Sequence, residues 1–331
     1  MNGNKVFLAT FARGIARADC GPGGQWRVTR HAEDSEVSCL TAAPSNGGVL
    51  YAGTKSGVLR SADNGLTWRA CGLDGHIVKS LAVSPFGSQV VYAGTKPALL
   101  FVSRDGGQSW SELAGFRRIP NRWWWFSPTE LPDRRAYVTA ISPSPSDPDV
   151  LLAGIEFGAV VRSDDGGKSW SRHRTGALRD CHSLKFHQTN GDWAYEAGGT
   201  GGGAAYSRDG GQSFHKAKSG LAKNYGIVCA ADPESPEIWY VSVAPSPMNA
   251  FGQRPEIYLY RATGGAGWQP IGWADQPLPA AVTALATVAG APGELYAGLY
   301  NGAIWRSPNY GDSWEKLPFN LGGIWQSLLV I

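Results

Sequence analysis

The sequence predicts an all-β chain folded as a seven-bladed β-propeller of four-stranded blades, and three observations carry that prediction. One octapeptide recurs as SADNGLTW, SRDGGQSW, SDDGGKSW, SRDGGQSF and SPNYGDSW, ending at Trp68, Trp110, Trp170, Phe214 and Trp314. Two worn copies, DCGPGGQW and RATGGAGW, end at Trp26 and Trp268, so seven aromatic anchors follow one another at spacings of 42, 42, 60, 44, 54 and 46 residues. Short apolar runs of strand type precede most anchors. A period of this length marks a repeat architecture, and four short strands per period describe a propeller blade.

The elements follow in order within each unit. The first strand is read from VSCLTAAP, IVKSLAVSP, VTAISPSP, CHSLKFHQ, GIVCAADP and AVTALATV, and the second from VLYAGT, VVYAGT, VLLAGI, ELYAGL, IWYVSV and KVFLAT. The third comes from GVLRS, ALLFVS, GAVVRS, GAIWRS, IYLYRA and GIARA, and residues around the anchor make the fourth. These runs are rich in the β-branched and aromatic residues that pack on a pleated surface. The N-terminal unit lacks a first strand, while WQSLLVI at the C-terminus is a first strand with nothing after it. Pairing of Ser327 to Ile331 inside the N-terminal blade therefore closes the ring and removes a sheet edge. Units averaging about 48 residues fill positions 1–331, so the chain is read as a single domain with a long ligand-face insertion at about 112–137.

The octapeptide is a folded turn with an anchor. Asp63, Asp105, Asp165, Asp209 and Asn309 stand two residues after a Ser, where a side-chain oxygen accepts backbone N–H groups ahead of it. Gly supplies positive φ, and the closing aromatic pins the hairpin. The pattern resembles the Asp box, or BNR repeat, of the sialidase-like, Ycf48/HCF136-like and Vps10-like propellers, with no specific characterised enzyme matched. That resemblance implies boxes between third and fourth strands, on the rim away from the ligand face, and hence a structural role for all five residues.

Thirty basic and 27 acidic residues give a net charge of +3, which points to neither nucleic acid nor a membrane surface as partner. Five cysteines without paired CxxC spacing read as reduced thiols, and MNGNKVFLATFARG lacks a small-residue cleavage pattern, so the expected location is the cytoplasm. Secretion is the alternative for a chain whose leader has been removed.

Ligands of propellers meet the mouth of the central channel. Two residues before the first-strand Leu or its equivalent lies a ring of Ser38, Lys79, Thr139, His182, Gly226, Thr283 and Gln326. A second ring, at the ends of the second strands, holds Phe11, Lys55, Lys96, Glu156, Gly199, Ala244 and Tyr300. Polar residues concentrate in HRTGALRDCHSLKFH, which contains His173, Arg174, Arg179, Asp180, His182 and His187. Glu156, His182 and His173 are the candidate catalytic groups, since a carboxylate beside an imidazole supports proton transfer. Arg174 is the candidate anion holder. Asp180, Glu196, Tyr225, Tyr300, Lys79 and Gln326 are candidate ligand contacts, and Trp123, Trp124 and Trp125 form a candidate stacking wall in the insertion. His182 and His187, five apart on a strand, face opposite ways and so do not make a metal-binding pair; no metal is expected. No cofactor is expected either.

Arg118, Ile119 and Pro120 spell the Arg-Ile-Pro of the sialidases, but after the second box, and the ring counts seven blades where sialidases have six. Xyloglucan-type hydrolases are similar in their boxes and use two propellers facing a cleft. Polysaccharide lyases on seven-bladed propellers imply a base and an anion holder that His173, His182, Arg174 and Tyr225 match in type. The leading expectation is a carbohydrate-active hydrolase or lyase acting on a small polar or carbohydrate-like ligand. The alternative is a non-catalytic scaffold or assembly factor of the Ycf48/HCF136 type, with a protein partner. An enclosed pocket holding Glu156, His182 and Arg174 favours the enzyme; an open face favours the scaffold.

Overall fold

The computed structural model describes residues 5–331 apart from 11–12, 22, 45, 129–130, 200–201, 265–266 and 273–277. Seven antiparallel sheets succeed one another along the chain, as the repeat predicts. Their inner strands are Leu328–Val330, Val37–Ala43, Ile77–Val83, Val138–Pro143, Cys181–Phe186, Tyr225–Ala231 and Val282–Thr287, which number blades one to seven. Six sheets are four-stranded. Blade four has three strands, and in place of its fourth, Ser171 and Arg174 donate backbone N–H groups to the carbonyls of Arg162 and Val160, both at 2.8 Å.

Ring closure is of the expected kind. Leu328–Val330 pairs with Val6–Thr10 in register Phe7 to Val330, and Ile331 exchanges backbone hydrogen bonds with Val6 at 2.7 and 3.0 Å. The innermost strand of blade one thus comes from the far end of the chain.

Each box satisfies itself. In the third, the Ser163 hydroxyl donates to Asp165 Oδ1 at 2.9 Å and accepts from the Gly167 N–H at 2.8 Å. Asp165 Oδ1 also accepts from the Ser169 N–H at 2.9 Å, and Oδ2 from the Ser169 hydroxyl at 2.6 Å. Asn309 does the same work with Oδ1 alone, accepting from the Ser313 N–H at 2.9 Å and the Ser313 hydroxyl at 3.1 Å. The tryptophan closing the second box reaches the preceding blade, donating Nε1–H to the Cys71 carbonyl at 2.8 Å.

Between blades the core is apolar and close. The glycine of the YAGT runs has a steric cause: a Cβ on Gly94 would stand 2.5 Å from Ser80 Oγ and 2.6 Å from Val138 Cβ of the next blade. Opposite these glycines the inner strands carry a β-bulge, at Ser38, Lys79, Thr139, His182, Ile227 and Thr283. A bulge re-aims one side chain out of the ladder, here at the channel end of the strand. The sequence register placed Gly226 in this ring; the bulged residue is Ile227, because Cys229 occupies the position that Leu40 and Leu81 hold in other blades.

Candidate functional site

The mouth face is built from the hairpins joining second to third strands and from the crossovers between blades. Glu156 follows strand Leu151–Ile155 of blade four, and its N–H donates to the Tyr137 carbonyl at 3.2 Å, which continues the ladder into the mouth. Gly199 donates to the Asp180 carbonyl in the same way at 2.9 Å, and Tyr300 to that of Ala281 at 2.8 Å. The second predicted ring therefore has the right register at these positions, while Phe11 lies outside the described residues.

Four of the predicted residues gather where blades four, five and six meet. His182 Nδ1 lies 2.7 Å from the Gly226 carbonyl of blade six, and Nε2 lies 3.3 Å from Asp180 Oδ1. The His182 ring meets Tyr225 edge-on with centroids 5.1 Å apart. Glu156, buried from solvent, acts on both rings through its charge. Burial lowers the basicity of His182, but the hydrogen bond and charge of Asp180, the Gly226 carbonyl and the charge of Glu156 outweigh it and leave the pKa raised. Burial, then the charges of Asp180 and Glu156, push the Tyr225 hydroxyl up to about 12. Gly199 closes the cluster from above: a Cβ there would clash with Asp180 Oδ2 and stand 3.0 Å from both His182 Cε1 and Tyr225 Cε2.

The protonation state follows from the partners. A carbonyl oxygen only accepts, so Nδ1 carries hydrogen, and a carboxylate at Nε2 favours a second one. These partners favour the charged form of His182 and tie blade five to blade six, with both ring nitrogens turned toward groups of the protein.

The remaining predicted residues are elsewhere. Arg174 donates Nε–H to the Gln212 carbonyl at 2.8 Å, inside the fourth box, and so belongs to the outer strands. His173 Nδ1 accepts from the Val160 N–H at 3.2 Å at the edge of blade four, and burial followed by the charge of Arg179 pushes its pKa down to about 4. His187 is buried at the other end of its strand, with Nε2 2.8 Å from the Asp232 carbonyl. These residues are near one another in sequence only because the chain crosses from the outer strand of blade four to the inner strand of blade five. Glu196 is fully buried behind Asp180, where Oε2 accepts from the Leu178 N–H at 2.9 Å. Burial pushes its pKa up to about 8, and its carboxyl lies inside the blade, away from the solvent at the mouth. Lys79 lies over the Tyr137 ring at 5.0 Å.

Tyr300 and Gln326 line a different sector, spanning blades six, seven and one. Tyr300 packs with Phe251 and Trp325 at centroid distances of 6.2 and 5.6 Å, and Phe251 with Trp325 at 5.7 Å. All three rings stay exposed. Phe251 ends a short helix, Pro247–Phe251, capped by Ser246, in the long segment from Ala244 to Glu256 that links the second and third strands of blade six on the mouth face. Sequence reading missed Phe251 and Trp325; the available signal was a single aromatic in each mouth loop. In the insertion, Trp123 and Trp124 are exposed and stacked on each other, whereas Trp125 packs against Phe116 at 5.8 Å.

A cleft of about 180 Å³ lies on the outer wall between blades five and six, lined by Trp193, Tyr206, Arg208 and Lys216. It includes none of the mouth cluster. Among the described residues, no group of three or more His, Cys, Asp or Glu is arranged to hold a metal ion.

The BNR/Asp-box repeat family matches residues 101–112 and 161–172, around the second and third boxes. Among curated proteins, the photosystem II assembly lipoprotein Ycf48 of Synechococcus sp. (strain CC9902) is 25% identical over 282 residues, covering 83% of this chain and 73% of its own. Among solved structures, the GH74 xyloglucanase of Xanthomonas campestris superposes with a TM-score of 0.72 at 19% identity, over 95% of this chain and 52% of that one. This chain thus spans about half of the xyloglucanase. Ycf48 of Cyanidioschyzon merolae gives a TM-score of 0.57 at 12% identity, over 88% and 87% of the two chains. Ycf48 bound to a D1 peptide gives 0.57 at 14%, over 96% and 84%. The chain is a seven-bladed Asp-box propeller with homology to Ycf48, and the likeness to the xyloglucanase is one of fold.

Proposed function

We propose that this propeller is a non-catalytic scaffold that holds a segment of a partner protein across its mouth, in the manner of an assembly factor. The observation that carries the reading is the exposed cluster of Phe251, Tyr300 and Trp325 on the mouth, three large rings presented by three different blades. Aromatic residues that stay wet yet hold one another in place are typical anchors for a partner. Homology to Ycf48, and the fold shared with a Ycf48 bound to a peptide, support the same reading.

The ionisable cluster argues against proton transfer. The arginine expected to hold an anion is engaged by the fourth box, and both nitrogens of His182 face partners within the protein. A general base needs a free lone pair within reach of substrate.

Panning a displayed random-peptide library on the protein, then titrating recovered peptides against wild type and Trp325→Ala, tests the proposal. Peptides carrying apolar anchors are expected, with affinity falling on the order of tenfold or more in the variant. Turnover on a glycan and uronide panel that disappears in Glu156→Gln would instead establish the enzyme.

A further inference from the structure

The exposed apolar surface is unevenly distributed. Of eleven exposed large hydrophobic residues among those described, eight belong to mouth-face segments. Four of the eight sit on the insertion that rises between blades three and four: Trp123 at 72% exposure, Trp124 at 66%, Leu131 at 65% and Phe126 at 46%.

The base of this finger is packed into the blade and tied by hydrogen bonds. Trp125 and Phe116 pack into the blade, with the Arg122 guanidinium over both rings at 5.6 and 5.4 Å and donating to the Ala98 carbonyl at 2.7 Å. Arg117 is bound by Glu112, and Arg135 donates to both oxygens of Asp133 at 2.8 and 2.9 Å. From this base a turn of 3₁₀ helix, Arg122–Trp124, projects Trp123 and Trp124 outward, their rings stacked at 4.2 Å. The fold turns one tryptophan of three inward and displays the other two. The same insertion carries two exposed arginines, Arg118 and Arg134, whose guanidinium groups have no hydrogen-bond or ion-pair partner among the described residues.

Exposed indoles flanked by free cations are the composition of an interfacial anchor. Indole rings settle at the headgroup level of a bilayer, and basic side chains are drawn to anionic lipids. We infer that this finger docks the protein on an anionic membrane surface, with Trp123, Trp124, Phe126 and Leu131 entering the interfacial layer and Arg118 and Arg134 meeting the headgroups. No helix among the described residues is long and apolar enough to cross a membrane, so the contact is peripheral. The balanced net charge of +3 hides the feature, because it depends on which side chains share one loop. Docking would turn the mouth toward the membrane. A sugar platform is the less suited use of the finger: Leu131 offers no ring face, and the Asp133 carboxylate that would orient hydroxyls is already held by Arg135.

Co-sedimentation with vesicles of phosphatidylcholine alone and of phosphatidylcholine mixed with phosphatidylglycerol tests the inference. Binding is expected to the mixed vesicles only, to weaken with added salt, and to be accompanied by a blue shift of tryptophan fluorescence. Trp123→Ala with Trp124→Ala should abolish the blue shift and weaken binding by an order of magnitude or more. Arg118→Gln and Arg134→Gln should each weaken it roughly fivefold. Trp325→Ala, which tests the peptide reading, should leave vesicle binding unchanged, so the two proposals fail separately. All the finger substitutions are at exposed positions, and unchanged thermal melts establish that the variants are folded. The inference is overturned by absence of binding to mixed vesicles, by binding that the double tryptophan variant retains, or by a glycan or peptide that the finger binds while ignoring vesicles.

Discussion

Replacing Asp165 by Ala removes the centre of one box and leaves the rest of the blade untouched. Three hydrogen bonds end on its carboxylate, from the Ser163 hydroxyl, the Ser169 N–H and the Ser169 hydroxyl. The two hydroxyls can turn to water or to other acceptors, so the main loss is the charge-assisted bond from the Ser169 N–H. Such a bond contributes about 1.5–3 kcal/mol when shielded, and discounting for a half-exposed turn leaves about 1–2 kcal/mol. Asp165→Asn should cost less than half as much, because Asn309 already supports an equivalent turn through one oxygen. The side-chain and backbone hydrogen bonds of Ser169 lower the carboxyl pKa. Its contribution is therefore complete above the unfolded value of about 3.9 and is lost as pH falls through the folded value. Urea unfolding at neutral pH and near pH 3 measures both effects, with the gap between wild type and Asp165→Ala narrowing in acid. A gap that is independent of pH, or an Asn variant as unstable as the Ala variant, would refute this account of the box.

Deleting Ser327 to Ile331 should expose the edge of Val6–Thr10 and produce a chain that aggregates, detectable by light scattering, whereas a monomeric soluble product would show that closure is dispensable. The raised pKa of His182 means that its stabilisation is complete below the unfolded value of about 6.5 and is lost as pH rises through the folded value. The stability difference between wild type and His182→Gln should accordingly be larger at pH 6 than at pH 9, and the reverse order would contradict the raised pKa. Gly199→Ala should destabilise by about 1–3 kcal/mol, read from the urea midpoint, since its Cβ overlaps Asp180; unchanged stability would mean that the cluster can open.

The ring was legible because its signals are local. The turn of each box closes its hydrogen bonds within eight residues, so Ser, Asp, Gly and an aromatic at fixed offsets imply the turn wherever they occur. The two worn copies could be placed from the spacing of their neighbours, and Trp268 still donates Nε1–H to the Ala217 carbonyl at 2.7 Å although its box has lost Ser and Asp. The register of the inner strands was legible wherever Leu or Ile marked it. It slipped in GIVCAADP, where Cys229 fills the leucine position and moves the bulge to Ile227.

The mouth was harder to read, for a reason built into the topology. A crossover carries the chain from an outer strand to the next inner strand, so residues six apart, such as Arg174 and Asp180, end in different environments, while His182 and Gly226 from separate blades come within 2.7 Å. Charge density along the sequence therefore suggested a single group that space divides: His173 and Arg174 go to the outer strands, while His182 stays at the mouth beside Asp180, Tyr225 and Glu156. Exposed aromatics behave oppositely. Nothing in a sequence of three tryptophans says which one the fold buries, since that depends on the Phe116 and Arg122 seat beneath Trp125. Once that seat is occupied, Trp123 and Trp124 have no core left to enter. Folding alone does not account for their exposure, which is why the proposed function and the docking inference rest on the surface of the mouth more than on its charged interior.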